Sequence, residues 1–189
     1  LAAHAFATTA VASASAMLTW MLIDVHETGK PTLVGASTGL VVGLVAITPG
    51  TGFVPIWSSF LIGALVSPVC YFCVSRVKKK FGYDDALDAF GCHGVGGIYG
   101  GIMTGLFGSK AVNPALVSDG LVFGDTKLFL ANLVGTVVTI LLGLVGGGLC
   151  IFLTKRITPL RVSEKEEKIG LDITQHGERA YPSFNGLDD

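Results

Sequence analysis

Long apolar runs separated by short clusters of charge are the feature that most constrains this 189-residue chain. Charged residues make up 14% of it, whereas a soluble domain carries about 25%. Five runs reach or approach the roughly 20 apolar residues that a transmembrane helix needs. These runs lie at about 3–23, 32–48, 53–75, 86–107 and 127–153. The pattern predicts an all-α membrane protein with five transmembrane helices.

Basic residues cluster after two of these spans, which predicts their orientation. The clusters are Arg76, Lys78, Lys79 and Lys80 after the third span, and Lys155, Arg156 and Arg161 after the fifth. The loop 108–126 holds only Lys110. Because cytoplasmic loops carry an excess of Lys and Arg, both clusters are predicted to be cytoplasmic.

This topology predicts a multi-pass protein of the cell membrane. Residues 1–155 form its transmembrane part, and residues 156–189 form a cytoplasmic C-terminal tail. With five spans the chain starts outside the cell, yet it begins at Leu1 with no signal peptide before the first span. We therefore expect further helices upstream.

Charge and cysteine content exclude several classes of partner. The net charge is −1, and no broad basic face is present, so we expect no nucleic-acid partner. All four cysteines fall within apolar spans, where thiols behave as small buried hydrophobic groups. Cys70 and Cys73 have the spacing of half a zinc site, but no second pair follows. We expect neither a metal nor a cofactor.

Glycines recur at four-residue intervals, which puts each set on one helix face. The sets are Gly35, Gly39 and Gly43 in the second span, Gly97, Gly101 and Gly105 in the fourth, and Gly143 and Gly147 in the fifth. Small residues allow the close backbone approach that holds membrane helices together. We predict tight helix packing at these positions.

The fourth span combines carboxylates with one histidine. Asp84 and Asp85 precede its apolar run and are predicted to cap the helix. Asp88 is predicted to lie about one turn deeper, where a carboxylate needs a backbone amide or a polar partner on another helix. His93 follows Asp85 by eight residues, roughly 12 Å along a helix, and so falls near the membrane midplane.

An ionisable residue at that depth is a functional-site hypothesis. In an α-helix, Ala89, Gly97, Gly100 and Thr104 would share a stripe with His93, and such a stripe of small side chains can border a narrow pore. A neutral imidazole offers one donor and one acceptor to a small polar solute. Asp88 would lie about 140° around the helix from His93, so we expect the two to serve different tasks.

Residues 85–98 read DALDAFGCHGVGGI and resemble the signature of the ammonium transporter (Amt/Mep/Rh) family. The resemblance extends to GKPT at 29–32, GLVAITP at 43–49 and GLDITQHGE at 170–178. It implies an eleven-helix protomer in a homotrimer, with a pore through each protomer and this chain corresponding to helices seven to eleven. The implied activity is recruitment of ammonium and conduction of ammonia through a hydrophobic pore.

The resemblance also implies roles for particular residues. His93 matches the second of the family's twin pore histidines. Thr38 and Val41 fall near the pore-facing side of the family's eighth helix, and Ala89 is added from the stripe above. Asp88 matches an aspartate with a mainly structural part. Other pore elements of the family lie upstream, so we expect this chain alone to form no complete pore.

The tail resembles the family's cytoplasmic C-terminal segment. That segment packs against the inner pore mouth and a neighbouring protomer, and it can contact PII-type signal proteins. The matching residues are Gly170, Asp172, Thr174, His176 and Gly177. Thr174 is either a phosphorylation site, as in some eukaryotic members, or a threonine of a docking segment.

Two other functions are compatible with a helical membrane protein of this kind. An ammonium sensor would signal through the tail, but only about 35 residues follow the last span, too few for a sizeable output domain. A membrane enzyme would need a nucleophile or a metal cluster beside His93, and the neighbouring Cys92 points about 100° away on a helix. Within the family, the permeant could be ammonium, methylammonium or carbon dioxide.

Overall fold

The computed structural model describes residues 1–181, which are helical wherever they form regular structure. The α-helices are α1 (Ala2–Thr28), α2 (Leu33–Ile47), α3 (Ile56–Phe72), α4 (Lys78–Phe81), α5 (Gly96–Phe107), α6 (Lys127–Ile157) and α7 (Glu164–Ile169). Three further segments are the wider π-helical turns π1 (Cys73–Val77), π2 (Phe90–Val95) and π3 (Asp172–His176), and a 3₁₀ turn covers Leu121–Phe123. Residues 1–181 contain no β-strand, so the all-α prediction is confirmed for them.

Internal contacts divide the chain into two units, Leu1–Thr139 and Ile140–Asp189. The first unit contains α1 to α5 and the beginning of α6. The second contains the rest of α6, then α7 and π3.

Three helical stretches have the length and composition to cross a membrane: Ala2–Thr28, Ile56–Phe81 and Lys127–Ile157. The second of these joins α3, π1 and α4 into one run. The apolar helix α2 has 15 residues, about 22 Å at 1.5 Å per residue, which is shorter than a hydrocarbon core of about 30 Å. Of the five predicted spans, the second and fourth are therefore the short ones.

The fourth predicted span, 86–107, begins later than expected. Residues 86 and 87 form a turn, and the helical run starts with π2 and continues as α5. The apolar pattern alone placed Ala86 and Leu87 in the helix. The Asp85 carboxylate, however, accepts hydrogen bonds from the amides of Ala89 and Phe90, so the helix begins after these two residues. The prediction that Asp88 lies one turn inside the helix is wrong for the same reason.

The other predicted ends differ by a few residues. α1 continues past 23 to Thr28 and stops where Gly29 adopts the left-handed conformation, with φ 82°, which favours glycine. α3 begins at Ile56, after Pro55, and its helical run continues through π1 to Phe81.

Small residues bring α1, α2 and α3 into backbone contact. Ala12 and Ala16 are completely buried on α1. A Cβ added to Gly43 of α2 would lie 2.6 Å from the Ala12 carbonyl oxygen, and one added to Gly63 of α3 would overlap the same oxygen. The Ser67 hydroxyl of α3 donates to the Ala16 carbonyl at 2.7 Å. A single turn of α1 therefore holds both neighbouring helices.

A buried carboxylate joins the end of α1 to the start of α2. Asp24, 6% exposed, accepts hydrogen bonds from the backbone N–H and the hydroxyl of Thr32, at 3.3 and 2.8 Å. The Thr32 hydroxyl oxygen in turn accepts from the Gly35 amide at 2.8 Å and so caps α2. The loop between the helices is thus fixed by side chains on both sides of it.

The predicted glycine packing is present in some places and absent in others. Gly39 and Gly43 lie against α1, and a Cβ at Gly101 would lie 2.6 Å from the Thr136 hydroxyl of α6. By contrast, Gly143 and Gly147 have open space where a Cβ would be, within the part of the chain that the structure describes. Four-residue spacing alone therefore did not distinguish packed from open glycine faces.

The contact between Gly63 and Ala12 predicts a stability difference between two glycine substitutions. In the complete, detergent-purified protein, we expect Gly63→Ala to lower stability by about 1–3 kcal/mol, because the new methyl group must displace rigid backbone. Gly143→Ala is the matched control and should cause a smaller loss, since its Cβ meets no atom of this chain. Thermal unfolding followed by circular dichroism measures both. Equal melting temperatures for the two variants would contradict the packing described above.

Candidate functional site

The helix that carries His93 starts at a carboxylate cap. The Asp85 side chain accepts hydrogen bonds from the amides of Ala89 and Phe90, at 2.8 and 2.9 Å. These amides are among the first of the helix and have no partner within it. A negative charge here also complements the positive end of the helix dipole.

Asp88 lies in the turn before π2, and its partner is a lysine of the preceding helix. Its carboxylate accepts from the Lys78 ammonium at 2.7 Å, and the same ammonium donates to the Asp85 carbonyl at 2.5 Å. The Asp88 backbone has φ 54°, the only positive φ of a non-glycine residue in residues 1–181. Asp88 thus has the polar partner on another helix that the sequence predicted, although its own position is not helical.

His93 lies within π2, on a face that is exposed in this chain. Its neighbours Gly91 and Cys92 are buried, Cys92 at 4% exposure. A Cβ added to Gly91 would lie 2.6 Å from Val74 of π1, so this side of π2 packs against the preceding helix. π2 therefore has one side that packs against the preceding helix and one open side that carries the imidazole.

α2 runs beside the His93 helix in the same direction. A Cβ at Gly96 would lie 3.3 Å from Val45, and further along, one at Gly50 would lie 3.0 Å from the Thr104 hydroxyl. Val41 lies about one turn before Val45 on α2, and His93 lies about one turn before Gly96 on its own helix. Val41 and His93 therefore lie at a similar height along the two neighbouring helices. Val41 is 38% exposed.

Thr38 lies one turn before Val41 on α2. Its side chain is partly exposed, and its hydroxyl donates to the Val34 carbonyl at 2.8 Å, which leaves the oxygen lone pairs available. Ala89 is exposed at the start of the His93 helix. The four residues proposed from the sequence to line a pore thus all have partly or largely exposed side chains on α2 and the His93 helix.

The predicted stripe of small residues around His93 is interrupted. A Cβ at Gly97 would meet open space, but one at Gly100 would overlap the Ala46 carbonyl of α2, and Thr104 is 7% exposed. The prediction assumed an unbroken α-helix. The wide turn of π2 changes the angular register, so residues beyond Gly96 do not continue the face of His93.

The tail segment is held by its own side chains. Ser163 and Glu166 form a reciprocal capping box at the start of α7. The Gln175 amide donates to Glu166 at 3.1 Å, which links π3 back to α7. The hydrogen bond from the Ser163 hydroxyl is the main cause that lowers the pKa of Glu166. The charged residues of α7 therefore form a short capped helix with no buried side chain.

The tail residues singled out from the sequence fall in and around π3. Gly170 and Gly177 flank it with positive φ, 111° and 68°. The Thr174 hydroxyl donates to the Gly170 carbonyl at 2.9 Å, and His176 is exposed. Asp172 accepts from the Ala180 amide at 3.0 Å, and this bond is the largest of the effects that lower its pKa.

Sequence reasoning missed one residue of the site. Lys78 was considered only as part of a basic cluster that sets orientation. Its spacing from Asp88, ten residues across a turn, gives no periodic signal. The available clue was that a carboxylate near a membrane needs a partner and that a lysine lies at the end of the preceding helix.

The fold and this segment define a multi-pass helical membrane protein. A sequence model described as the Ammonium Transporter Family matches residues 1–181. The chain belongs to the ammonium transporter family, and the resemblance seen in its sequence motifs is confirmed.

Relatives in several organisms support this assignment. The chain is 45% identical over 181 residues to the ammonium transporter of Bacillus subtilis (strain 168), covering 96% of this chain and 45% of that protein. It is 47% identical over 180 residues to the ammonium transporter of Aquifex aeolicus (strain VF5), covering 95% of this chain and 42% of the relative. The chain thus spans less than half the length of these relatives.

Solved structures share the fold. The crystal structure of Saccharomyces cerevisiae Mep2 aligns with a TM-score of 0.78 at 34% identity, over 86% of this chain and 38% of that one. A structure titled Sensor Amt Protein aligns with a TM-score of 0.75 at 25% identity, over 92% of this chain and 42% of that one.

The Asp85 cap predicts a stability effect that depends on the capping group. We expect Asp85→Ala to lower the stability of the complete protein by about 0.5–2 kcal/mol, because two amides lose their acceptor. Asp85→Asn should lose less, since asparagine is also a good cap. Chemical denaturation in detergent measures both variants. A cap role is refuted if the alanine and asparagine variants unfold at the same denaturant concentration.

The hydrogen bond to Asp172 predicts how the tail responds to acid. Because the folded pKa is lowered, the stabilisation is present above the pKa of an unfolded aspartate and disappears as the pH falls through the lowered value. In the complete protein with ¹⁵N-labelled alanine, the Ala180 amide shift should titrate below the usual aspartate pKa of about 3.9. Asp172→Asn should abolish this titration. A midpoint at the usual value would contradict the bond.

Proposed function

We propose that the complete protein is an ammonium transporter that conducts ammonia across the cell membrane through a hydrophobic pore lined by His93. The observation that carries this proposal is the open side of π2, where His93 is exposed at about the level of Val41 in a chain of this family. Thr38 and Ala89 extend the proposed lining. Parts of the complete protein outside this chain supply the rest of the pore wall.

The chemistry of the lining supports passage of a neutral solute. Val41 and Ala89 offer no charge, so a bare cation would lose its hydration without compensation. The imidazole of His93 and the hydroxyl of Thr38 supply a small number of hydrogen-bonding groups. Ammonium would leave its proton outside this region, cross as ammonia and regain a proton on the other side.

The charge distribution supports an orientation with the tail in the cytoplasm. Arg76 and Lys78 to Lys80 follow α3, and Lys155 and Arg156 end α6, as the positive-inside rule requires of cytoplasmic ends. We further propose that the protein assembles as a homotrimer. In this assembly the tail would pack at the inner pore mouth and against a neighbouring protomer, where a PII-type signal protein can reach it.

A sensor function is the second candidate. It is favoured by the structural similarity to the Sensor Amt Protein. The higher identity to chains named as transporters favours conduction. A sensor of this kind would bind ammonium and change its tail contacts without net flux, so flux measurements separate the two functions. Enzymatic activity is not proposed, because Cys92 is buried while His93 lies on the exposed face.

Removing the imidazole tests the proposal. In proteoliposomes containing the complete protein, His93→Ala should change ammonium flux, or its selectivity over potassium, by about two- to tenfold. This is the effect of losing one hydrogen bond worth about 0.5–1.5 kcal/mol.

The matched control for this experiment is His26→Ala, which removes an exposed histidine at the end of α1. This variant should transport as the unaltered protein does. Flux and selectivity that are the same in His93→Ala as in the control would remove His93 from the pore. Wild-type protein that binds ammonium but gives no flux would support the sensor.

A further inference from the structure

Two wide turns, π1 and π2, lie against each other, and π2 contains His93. π1 ends the third span and π2 begins the next helical run. They meet where Gly91 faces Val74, with too little space for a Cβ at residue 91. π-helical turns occur mostly as single bulges and are frequent at functional sites. Here one of them carries the proposed pore histidine.

Lys78 links these two turns. It follows π1 directly, and its ammonium group donates both to the Asp85 carbonyl and to the Asp88 carboxylate, at 2.5 and 2.7 Å. Its side chain is 28% exposed and that of Asp88 is 30% exposed, so the pair is shielded from much of the solvent. A partly shielded ion pair is weakened less by water and salt than an exposed one.

Asp88 transmits this restraint to the helix. Its carbonyl accepts the Cys92 amide at 2.9 Å, so the residue held by Lys78 also forms a backbone bond into π2, next to His93. Its left-handed backbone conformation, φ 54°, is uncommon for a residue with a side chain and persists only where surrounding contacts hold it. The ion pair is the contact that holds the carboxylate.

The sequence favours a different arrangement when this restraint is absent. Ala86, Leu87 and Ala89 are compatible with a helix, and the Asp85 cap and the turn at Asp88 together keep residues 86 and 87 out of it. If residue 88 returned to a helical conformation, the helix could extend backwards and π2 could tighten. A shift of one residue in an α-helix rotates a side chain by about 100°, which would turn His93 away from the open face of π2.

We propose that Lys78 is a positioning residue for His93: its ion pair with Asp88 fixes the wide turn that directs the imidazole to the open face. This inference rests on the proposed function of His93 as a pore residue. Lys78 thus does more than contribute to the basic cluster that predicts the cytoplasmic side, because its ion pair with Asp88 sets the angular position of the imidazole.

Four variants of the complete protein separate positioning from general stability. Lys78→Met removes the ammonium but keeps an apolar stem, and Lys78→Arg restores a cation that can donate twice. Asp88→Gly removes the carboxylate and leaves residue 88 free to adopt either the left-handed or the helical conformation. Lys79→Met, which removes the neighbouring exposed lysine, is the matched control.

Two readouts are independent of the amount of protein recovered. The first is the ratio of ammonium to methylammonium flux in proteoliposomes, since a displaced imidazole alters the fit of each solute. The second is the rate at which diethylpyrocarbonate modifies His93, measured by mass spectrometry relative to His26 in the same sample. The second readout needs no transport.

We expect Lys78→Met and Asp88→Gly to change both ratios by about tenfold or more, because small displacements of a positioned group have large effects. Lys78→Arg and Lys79→Met should stay near the unaltered protein. Unchanged ratios in Lys78→Met and Asp88→Gly would overturn the proposal. If Lys78→Met and Asp88→Gly were recovered only as unfolded protein, the Lys78–Asp88 ion pair would have a role in stability, and the positioning proposal would also be overturned.

His93→Ala distinguishes a failure of this inference from a failure of the proposed function. If that variant conducts normally, the pore role of His93 fails, while diethylpyrocarbonate reactivity still tests the effect of Lys78 on the imidazole. If His93→Ala alters flux but Lys78→Met alters neither ratio, the pore role stands and the positioning role falls.

Discussion

Contact between helix backbones at small residues determines where the side chains of the first unit can lie. Ala12 of α1 faces both Gly43 and Gly63, so a side chain larger than hydrogen at either glycine would force the helices apart. In a membrane, apolar side chains gain little by leaving lipid for protein, and close packing therefore contributes much of the association energy. α2 is fixed against α1 in this way, and the His93 helix is then fixed against α2 through Val45 and Gly96. The position of the imidazole follows from this series of contacts.

Polar groups decide the details that apolar packing leaves open. Asp85 ends the turn before the His93 helix by taking its first amides, and Lys78 holds Asp88 in a backbone conformation that a helix does not allow. Each of these charged groups is satisfied by a partner, as groups near the apolar region must be. The result is a helix that begins with a wide turn and carries its histidine on the open side of that turn.

Much of the fold could be predicted from the sequence, because hydropathy and helix length are tied to membrane thickness. The location of the helical runs and the family followed from apolar runs and a specific motif. The start of the fourth span did not follow, since the pattern of Ala86 and Leu87 is compatible with a helix and only the hydrogen bonds of Asp85 exclude it. The change of angular register at π2 could not be predicted from the sequence either, because a π-turn adds one residue to the turn without a change in composition. For that reason Gly100 and Thr104 were placed on the face of His93, although they pack against α2 and the turn after it.

The link between Asp24 and Thr32 bears on the order in which the chain assembles. Its partners are eight residues apart, so the link can form as soon as the loop and the first turn of α2 have been synthesised. Once it has formed, the carboxylate is already satisfied when the two helices enter the lipid. The Asp24 carboxylate therefore needs no hydrogen-bond partner from any helix outside this pair.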